Sequence, residues 1–381
     1  MSAYRFDVER MKHSRSADAA LVSSILLLTG LGLVTLYSAS FAFAERFFGE
    51  GSYFLGKQAL FAAFGLVVFA IASRVNLDLI RRFVQPLVFI AFLLCVLAFV
   101  PGIGLSKNGA SRWIRLGPLS YQPSELVKLV IPLYLAHIFD KKKARLDDAF
   151  SSVLPPALVV AVFCLAIYLQ NNFSTAAFIS ANALAIFFIA GIRGRHFSAV
   201  AASTLPLAVL MIFSKEYRVR RILSFIRPEE DPHGAGYQVR ASIDAIASGG
   251  FWGKGLGQGT RKISSVPEIH SDFIFSAFAE EAGFIGVVLF FGLFALFVIR
   301  GYRAASRARS EFKRLFAFGL VTTIASQALL NAAVVIGAVP ATGVPLPFFS
   351  AGGSSLATTL LAVGLIVNIS RPDRDPEALD V

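Results

Sequence analysis

The sequence predicts an all-α integral membrane protein that crosses the membrane ten times. Its 381 residues are 56% hydrophobic and 16% charged, and the mean hydropathy is +0.67. Soluble domains contain about 25% charged residues, and a soluble fold of this size must place much of its surface in water. The composition therefore excludes a soluble enzyme, a disordered chain, a coiled coil and a disulfide-stabilised scaffold.

Ten apolar runs define the predicted spans, since a helix that crosses a bilayer needs about 20 apolar residues. We expect a cytoplasmic segment at 1–19, one membrane domain at 20–370 and a cytoplasmic tail at 371–381. The first run is too long for a cleavable signal peptide, and another span follows it directly. The runs cover residues 20–44, 53–73, 83–100, 123–139, 153–169, 175–192, 197–213, 274–299, 315–337 and 351–370.

The Lys and Arg residues of the short loops predict the orientation. Most of them fall on one side of the membrane, and cytoplasmic loops carry such an excess. Both termini are therefore expected inside the cell. Because this asymmetry accounts for most of the net charge of +12, we expect no nucleic-acid partner.

Residues 214–273 form a long basic segment outside the membrane, between the seventh and eighth spans. Long loops in compact proteins are usually functional, and apolar residues with Gly-rich turns predict short re-entrant or surface helices here. The basic charge indicates an anionic substrate head group or anionic lipid; a solvated basic loop is the alternative. Its candidate substrate-binding residues are Arg218, Arg220, Arg221, Gln238, Arg240, Lys254, Arg261 and His270.

The fourth span begins with a charged pair. Pro123 suits the first turn of a helix, and Glu125 and Lys128 are then three residues apart on one face. Each charge costs about 2.5–3.5 kcal/mol near the middle of a span, so the pair indicates a polar cavity or a partner. A structural ion pair near the membrane interface is the alternative.

Asp272 lies where the long basic segment enters the eighth span. A helix N-terminus stabilises a carboxylate as the anion, so a helix cap on Ser271 or Asp272 is one interpretation. The neighbouring basic segment favours a functional role instead. Glu280 falls two turns deeper on the same side and fits either helix packing or function. We also expect Lys128 to pair with Asp272 or with Glu125.

A glycine-rich run at 249–259 does not match a phosphate-binding P-loop, because Ser248 and Gly255 occupy positions that need Gly and Ser or Thr. Close approach of the backbone to a ligand and a flexible turn remain as alternatives. Cys95 and Cys164 lie in apolar runs and are expected to be buried and inert. The five His residues show no metal-ligand spacing, so no metal site is predicted from protein ligands alone.

The segment at 340–355 contains three Pro and three Gly just before the last span. Irregular backbone at membrane depth is tolerated only when it is buried in protein or lines a cavity. A loop that merely closes the helix bundle is the alternative. The candidate substrate-binding residues of this segment are Ser350, Gly352, Gly353 and Ser354.

Together these motifs resemble the SEDS family of polytopic membrane proteins, named for shape, elongation, division and sporulation. The resemblance covers nearly the whole chain, and the run at 108–117 followed by Gln-Pro-Ser-Glu and Lys128 is closer to the FtsW branch than to RodA. It implies a peptidoglycan glycosyltransferase that polymerises lipid II, an undecaprenyl-pyrophosphate-linked disaccharide-pentapeptide, on the outer face of the cytoplasmic membrane. It also implies a class B penicillin-binding protein and other division or elongation membrane proteins as partners.

The resemblance assigns roles to individual residues. Asp272 matches the family's catalytic aspartate, Glu125 and Lys128 match its charged pair, and Arg112 with Trp113 matches its outer Arg-Trp motif. Two departures stand out in this chain. Asn172 replaces an aspartate that relatives usually carry after the fifth span, and Ala351 replaces a tyrosine.

The implied reaction needs a base and cationic charge. Asp272 is expected to take the proton of the acceptor hydroxyl, and the leaving pyrophosphate needs positive charge rather than an acid. Lys and Arg side chains or a divalent cation, magnesium or manganese, would supply it, and the anomeric configuration would invert. A lipid II flippase and a non-catalytic scaffold for a penicillin-binding protein are the alternative functions.

Overall fold

The computed structural model describes residues 17–107, 109–117, 119–145, 148–231, 234–259 and 271–371. Every one of the ten predicted runs forms an α-helix, and three further short helices lie in the described part of the chain. The helices are α1 (Ala19–Phe48), α2 (Tyr53–Ala72), α3 (Leu77–Arg82), α4 (Val84–Leu97), α5 (Pro123–Lys141), α6 (Leu154–Leu169), α7 (Phe173–Ile189), α8 (Gly194–Phe213), α9 (Glu216–Ile226), α10 (Ala235–Gly249), α11 (Ile274–Ser306), α12 (Glu311–Val335) and α13 (Gly353–Ser370).

In the described ranges, seven helices are long and apolar enough to cross a membrane: α1, α2, α6 with the π-helical turn Ala149–Val153 before it, α8, α11, α12 and α13. The sequence sets the helix ends locally. Asp18 caps α1 by accepting a hydrogen bond from the Leu21 N–H at 3.1 Å, and α1 ends at Gly49, whose positive φ needs glycine. Pro123 occupies the first turn of α5, as predicted.

The helices differ in how much of their surface is covered. Most of α13 is buried and it packs along α2, while α12 packs against α5, α7 and α11. In α8, by contrast, no described residue is buried. The bundle therefore has a protein-covered centre and a peripheral helix at one side.

The fold is helical, as predicted, and a small three-stranded antiparallel sheet that was not predicted lies between α4 and α5. Its strands are β1 (Gly104–Lys107), β2 (Ala110–Leu116) and β3 (Leu119–Tyr121), with the order β1-β2-β3. The sheet carries Arg112 and Trp113 on its central strand. Residues 108–109 read Asn-Gly, the strongest short hairpin signal, and this signal was available in the sequence.

The glycine-rich run at 249–259 supplies hydrogen-bond partners to backbone groups on both sides of a break in α11. Gly283 has φ 64° and ψ −170°, which interrupts the helix. The N–H groups of Lys254 and Gly255 donate to the carbonyl oxygens of Glu280 and Glu281, which precede the break, at 3.1 and 3.0 Å. The N–H group of Phe284, which follows the break, donates to the Gly250 carbonyl oxygen of the run at 2.9 Å. The run therefore caps both halves of the helix, and its close backbone approach is to α11.

This contact predicts that Gly283→Ala strongly destabilises the chain. A Cβ at Gly283 would lie 2.1 Å from the Gly253 nitrogen, and the positive φ adds strain. We expect a lower unfolding temperature in detergent, from a loss of at least about 1–3 kcal/mol. Gly292→Ala is the matched control in the same helix, because a Cβ there meets nothing within 4 Å. Equal unfolding temperatures for the two variants would contradict the interpretation.

Candidate active site

A cavity of about 500 Å³ lies beside the N-terminus of α7. Its wall combines residues from β2, α7, α9 and α12 with the irregular segment 339–342. The segment 340–355 was predicted to be buried or to line a cavity, and its first three residues do line this one. The two sequence regions predicted to bind the substrate, the basic segment and the Pro- and Gly-rich segment, therefore meet at one place.

Three of the predicted arginines line this cavity: Arg112, Arg218 and Arg221. The Arg218 guanidinium packs over the rings of Tyr168 and Tyr217, at 4.4 and 5.3 Å from the ring centroids. Arg221 donates through Nη1 to the Ala341 carbonyl oxygen at 3.4 Å. The cavity thus has a positively charged wall.

Arg112 is held by Asn171, two residues before the start of α7. Its Nη2 donates to the carbonyl oxygen of Asn171, a residue with a φ of 59°. Burial lowers the pKa of the Arg112 guanidinium, the charge of Arg221 lowers it further, and the carboxylate of Asp272 raises it. Arginine stays protonated despite such shifts, so the cavity wall keeps its charge.

Three buried polar atoms of the wall have no hydrogen-bond partner in the described part of the chain: Nε of Arg112, Nδ2 of Asn172 and Oγ1 of Thr342. Buried polar atoms almost always have partners, because an unpaired group costs about 1–3 kcal/mol. Asn172 is only 5% exposed. The cavity therefore suits a polar ligand.

Asp272 lies next to the cavity. Its backbone carbonyl accepts a hydrogen bond from Nδ2 of Asn331 at 2.8 Å, and the same amide group donates to the Val344 carbonyl at 2.9 Å. A Cβ on Gly343, the neighbour of the cavity-lining Thr342, would be 3.2 Å from Oδ2 of Asp272. The glycine leaves room for the carboxylate at the edge of the cavity.

The predicted ion pair of α5 is present and buried. Nζ of Lys128 lies 2.8 Å from Oε2 of Glu125, and their side chains are 8% and 5% exposed. Lys128 also donates to Oε1 of Gln327 at 2.8 Å. Nε2 of Gln327 donates to the Pro345 carbonyl at 2.8 Å. The pair therefore supports the segment that borders Asp272, and of the two predicted partners of Lys128 the structure shows Glu125.

Other predicted substrate-binding residues of the basic segment do not line the cavity. Lys254 pairs with the fully buried Glu280 at 2.8 Å, beside the break in α11. Arg220 pairs with Glu216 on the exposed face of α9. Arg240 lies 3.7 Å from a carboxylate oxygen of Glu229. Gln238 is half-buried on α10, while Arg261 and His270 lie outside the described residues.

The remaining predicted residues lie around the cavity or in the Pro- and Gly-rich segment, which the side chain of Gln58 holds in place. The Ser350 carbonyl accepts from Nε2 of Gln58 at 3.1 Å, and the Gly352 N–H donates to Oε1 of the same side chain at 3.3 Å. A Cβ on Gly353 would lie 2.2 Å from the Phe61 ring. Ser354 is buried, and Ser271 donates to Oδ1 of Asp272 at 3.1 Å. Trp113 lies on β2 beside Arg112.

Sequence reasoning missed the amides Gln58, Gln327 and Asn331. All three lie in apolar runs, at 4%, 3% and 1% exposure. Polar side chains within a membrane span are costly and usually have a specific partner. Applied to the sequence, that rule would have identified these three amides as residues with a specific partner.

The donor set of the cavity does not fit a divalent cation. Magnesium prefers carboxylate oxygens, and the described residues that line the cavity include three guanidinium groups and no carboxylate. Among the residues that the structure describes, no group of three His, Cys, Asp or Glu is placed to hold a metal ion.

The family model described as a cell cycle protein of the FtsW, RodA and SpoVE type matches residues 19–375. The chain belongs to the FtsW/RodA/SpoVE family. It is 39% identical to a probable peptidoglycan glycosyltransferase FtsW of Trichlorobacter lovleyi, over 93% of each chain. It is a multi-pass membrane protein, as predicted.

Solved structures of the FtsW/RodA/SpoVE family share the fold. A chain from a peptidoglycan synthase complex that coordinates polymerisation and crosslinking matches with a TM-score of 0.77 and 29% identity, over 93% of this chain and 98% of that one. The rod shape determining protein RodA of Thermus thermophilus matches with a TM-score of 0.70 and 27% identity, over 93% and 97%. The predicted family resemblance is confirmed.

Proposed function

We propose that this chain polymerises lipid II into glycan strands on the outer face of the cytoplasmic membrane, for septal wall synthesis in cell division. The observation that carries the proposal is the arginine-lined cavity next to Asp272. Its family relatives are named peptidoglycan glycosyltransferases. In this proposal all ten long helices cross the membrane, with both termini in the cytoplasm and 214–273 outside.

The reaction places each group in a defined role. The hydroxyl of the acceptor sugar attacks the anomeric carbon of the donor, and the bond from that carbon to the lipid pyrophosphate breaks. Asp272 takes the hydroxyl proton as general base. Arg112, Arg218 and Arg221 stabilise the charge that develops on the leaving pyrophosphate. Attack from the face opposite the leaving group inverts the anomeric carbon.

We propose that a class B penicillin-binding protein crosslinks the strands that this chain makes. The support is the likeness to a chain of a complex that coordinates polymerisation and crosslinking. The lipid-facing surface of α11, which includes Leu289 at 67% exposure, is open to a partner's membrane helix.

The test is polymerisation of lipid II by the purified protein, alone and with its cognate transpeptidase, followed by separation of the glycan chains on a gel. We expect long chains in the presence of the partner. Absence of chains, together with transfer of labelled lipid II across vesicle membranes, would assign the flippase function instead. Absence of both activities would leave a scaffold.

A further inference from the structure

We propose that the cavity beside α7 is a pyrophosphate site that works without a divalent cation, in which Asn172 acts as a hydrogen-bond donor. This inference deepens the proposed function, and it rests on that function only for the lipid attached to the pyrophosphate. The donors are Asn172, Arg112 and Arg221, with Arg218 supplying charge behind them.

The first argument is the unmet hydrogen-bonding capacity of the wall. Nδ2 of Asn172 and Nε of Arg112 are N–H donors without a partner in the described part of the chain, and both residues line the cavity. Nitrogen donors do not bind a metal ion while they carry hydrogen. A phosphate oxygen accepts from both, and hydrogen bonds to a charged group are the strong kind.

The second argument is the position of Asn172 at the start of α7, a helix of 17 residues. The first N–H groups of a helix have no partner within the helix, and together with the helix dipole they favour an anion. Phe173 and Ser174, the first two residues of α7, also line the cavity. The helix N-terminus and the orphaned side chain of Asn172 thus point to the same ligand.

The third argument is charge. With three guanidinium groups on the wall, a cation would be repelled, whereas an anion is attracted. A carboxylate at position 172 would lower this positive charge and would repel a pyrophosphate unless a cation lay between them. The carboxamide of Asn172 has no such requirement. The asparagine therefore makes metal-free binding possible in this chain.

The apolar part of the lining identifies the class of pyrophosphate. Ile212 of α8, Ile222 of α9, and Leu330 and Val339 give the cavity an apolar surface beside its arginines. An apolar wall beside an anion-binding wall fits a prenyl pyrophosphate better than the free inorganic ion. Ile212 belongs to α8, a helix with no buried residue, so we expect the prenyl tail to leave the cavity along this helix.

The test measures binding of farnesyl pyrophosphate and of inorganic pyrophosphate to the purified full chain in detergent by calorimetry, with EDTA and with magnesium. For the natural chain we expect equal affinity for farnesyl pyrophosphate in both buffers and weaker binding of inorganic pyrophosphate. For Asn172→Asp we expect a loss of about tenfold or more in EDTA, largely restored by magnesium. Asn76→Asp is the control, since Asn76 is an exposed helix cap outside the cavity and Asp caps equally well.

Each outcome decides one point. Binding by the natural chain that requires magnesium would overturn the proposal, and so would unchanged binding by Asn172→Asp in EDTA. Equal or tighter binding of inorganic pyrophosphate would overturn the prenyl assignment. Because binding is measured without lipid II, metal-free binding in a chain that makes no glycan would refute the proposed function and leave the site in place.

Discussion

Replacement of Asp272 by Asn is expected to reduce lipid II polymerisation by about 10²- to 10⁴-fold, the usual contribution of a positioned general base. The amide keeps the size of the side chain and can still accept the hydrogen bond that Ser271 donates. It cannot accept a proton from the sugar hydroxyl. The measurement is the initial rate of glycan formation with the partner transpeptidase present.

The matched control for this prediction is Asp244→Asn. Asp244 is an exposed carboxylate on α10, in the same segment between α8 and α11, so the variant loses the same charge away from the cavity. We expect its rate to equal that of the natural chain. If Asp272→Asn retained more than about a tenth of the rate, a general base at this position would be refuted. Retention of partner binding by Asp272→Asn separates loss of chemistry from loss of fold.

Lys128→Met is expected to destabilise the chain by about 3–5 kcal/mol, because it leaves the buried carboxylate of Glu125 without its counter-charge. It also removes the hydrogen bond to Gln327. The measurement is the unfolding temperature in detergent, followed by size-exclusion chromatography after heating. We expect the double variant Glu125→Gln with Lys128→Met to recover most of the loss, because no unpaired charge then remains.

The pair of Arg220 and Glu216 provides the comparison. Its side chains are 72% and 78% exposed, and exposed pairs contribute little because water screens them. Glu216→Gln should therefore leave the unfolding temperature nearly unchanged. If Lys128→Met lowered the unfolding temperature no more than Glu216→Gln does, the buried pair would not contribute to stability. Should the double variant prove as unstable as Lys128→Met, the loss would come from packing instead of charge.

The helices were predictable because each depends on a local run of apolar residues. The run at 123–139 became α5, with Pro123 at its start and its ion pair on one face. The end of α1 was placed at residue 44, whereas the helix continues to Phe48. Glu45 and Arg46 end the apolar run, but both are good helix formers, so the helix continues through them.

The site was predictable only in part, because side-chain partners depend on contacts between distant segments. Asp272 and Arg112 came from motifs, and the structure brings them to one cavity edge. Lys254 looked equivalent to Arg221 in the sequence, since both are basic residues of the same segment. Lys254 pairs with Glu280, 26 residues further along the chain, and no local pattern reveals such a partner.

The break in α11 at Gly283 has a consequence for how the protein is made. A helix in a bilayer needs a partner for each of its backbone groups, and the break at Gly283 leaves the first N–H groups of the second half of α11 without partners inside the helix. Two of these N–H groups donate to the carbonyl oxygens of residues 250 and 251, which leave the ribosome earlier. The second half of α11 therefore gains these partners only after the segment before the helix has folded back onto it. Assembly of this chain has an order, in which completion of the eighth long helix waits for the polypeptide that precedes it.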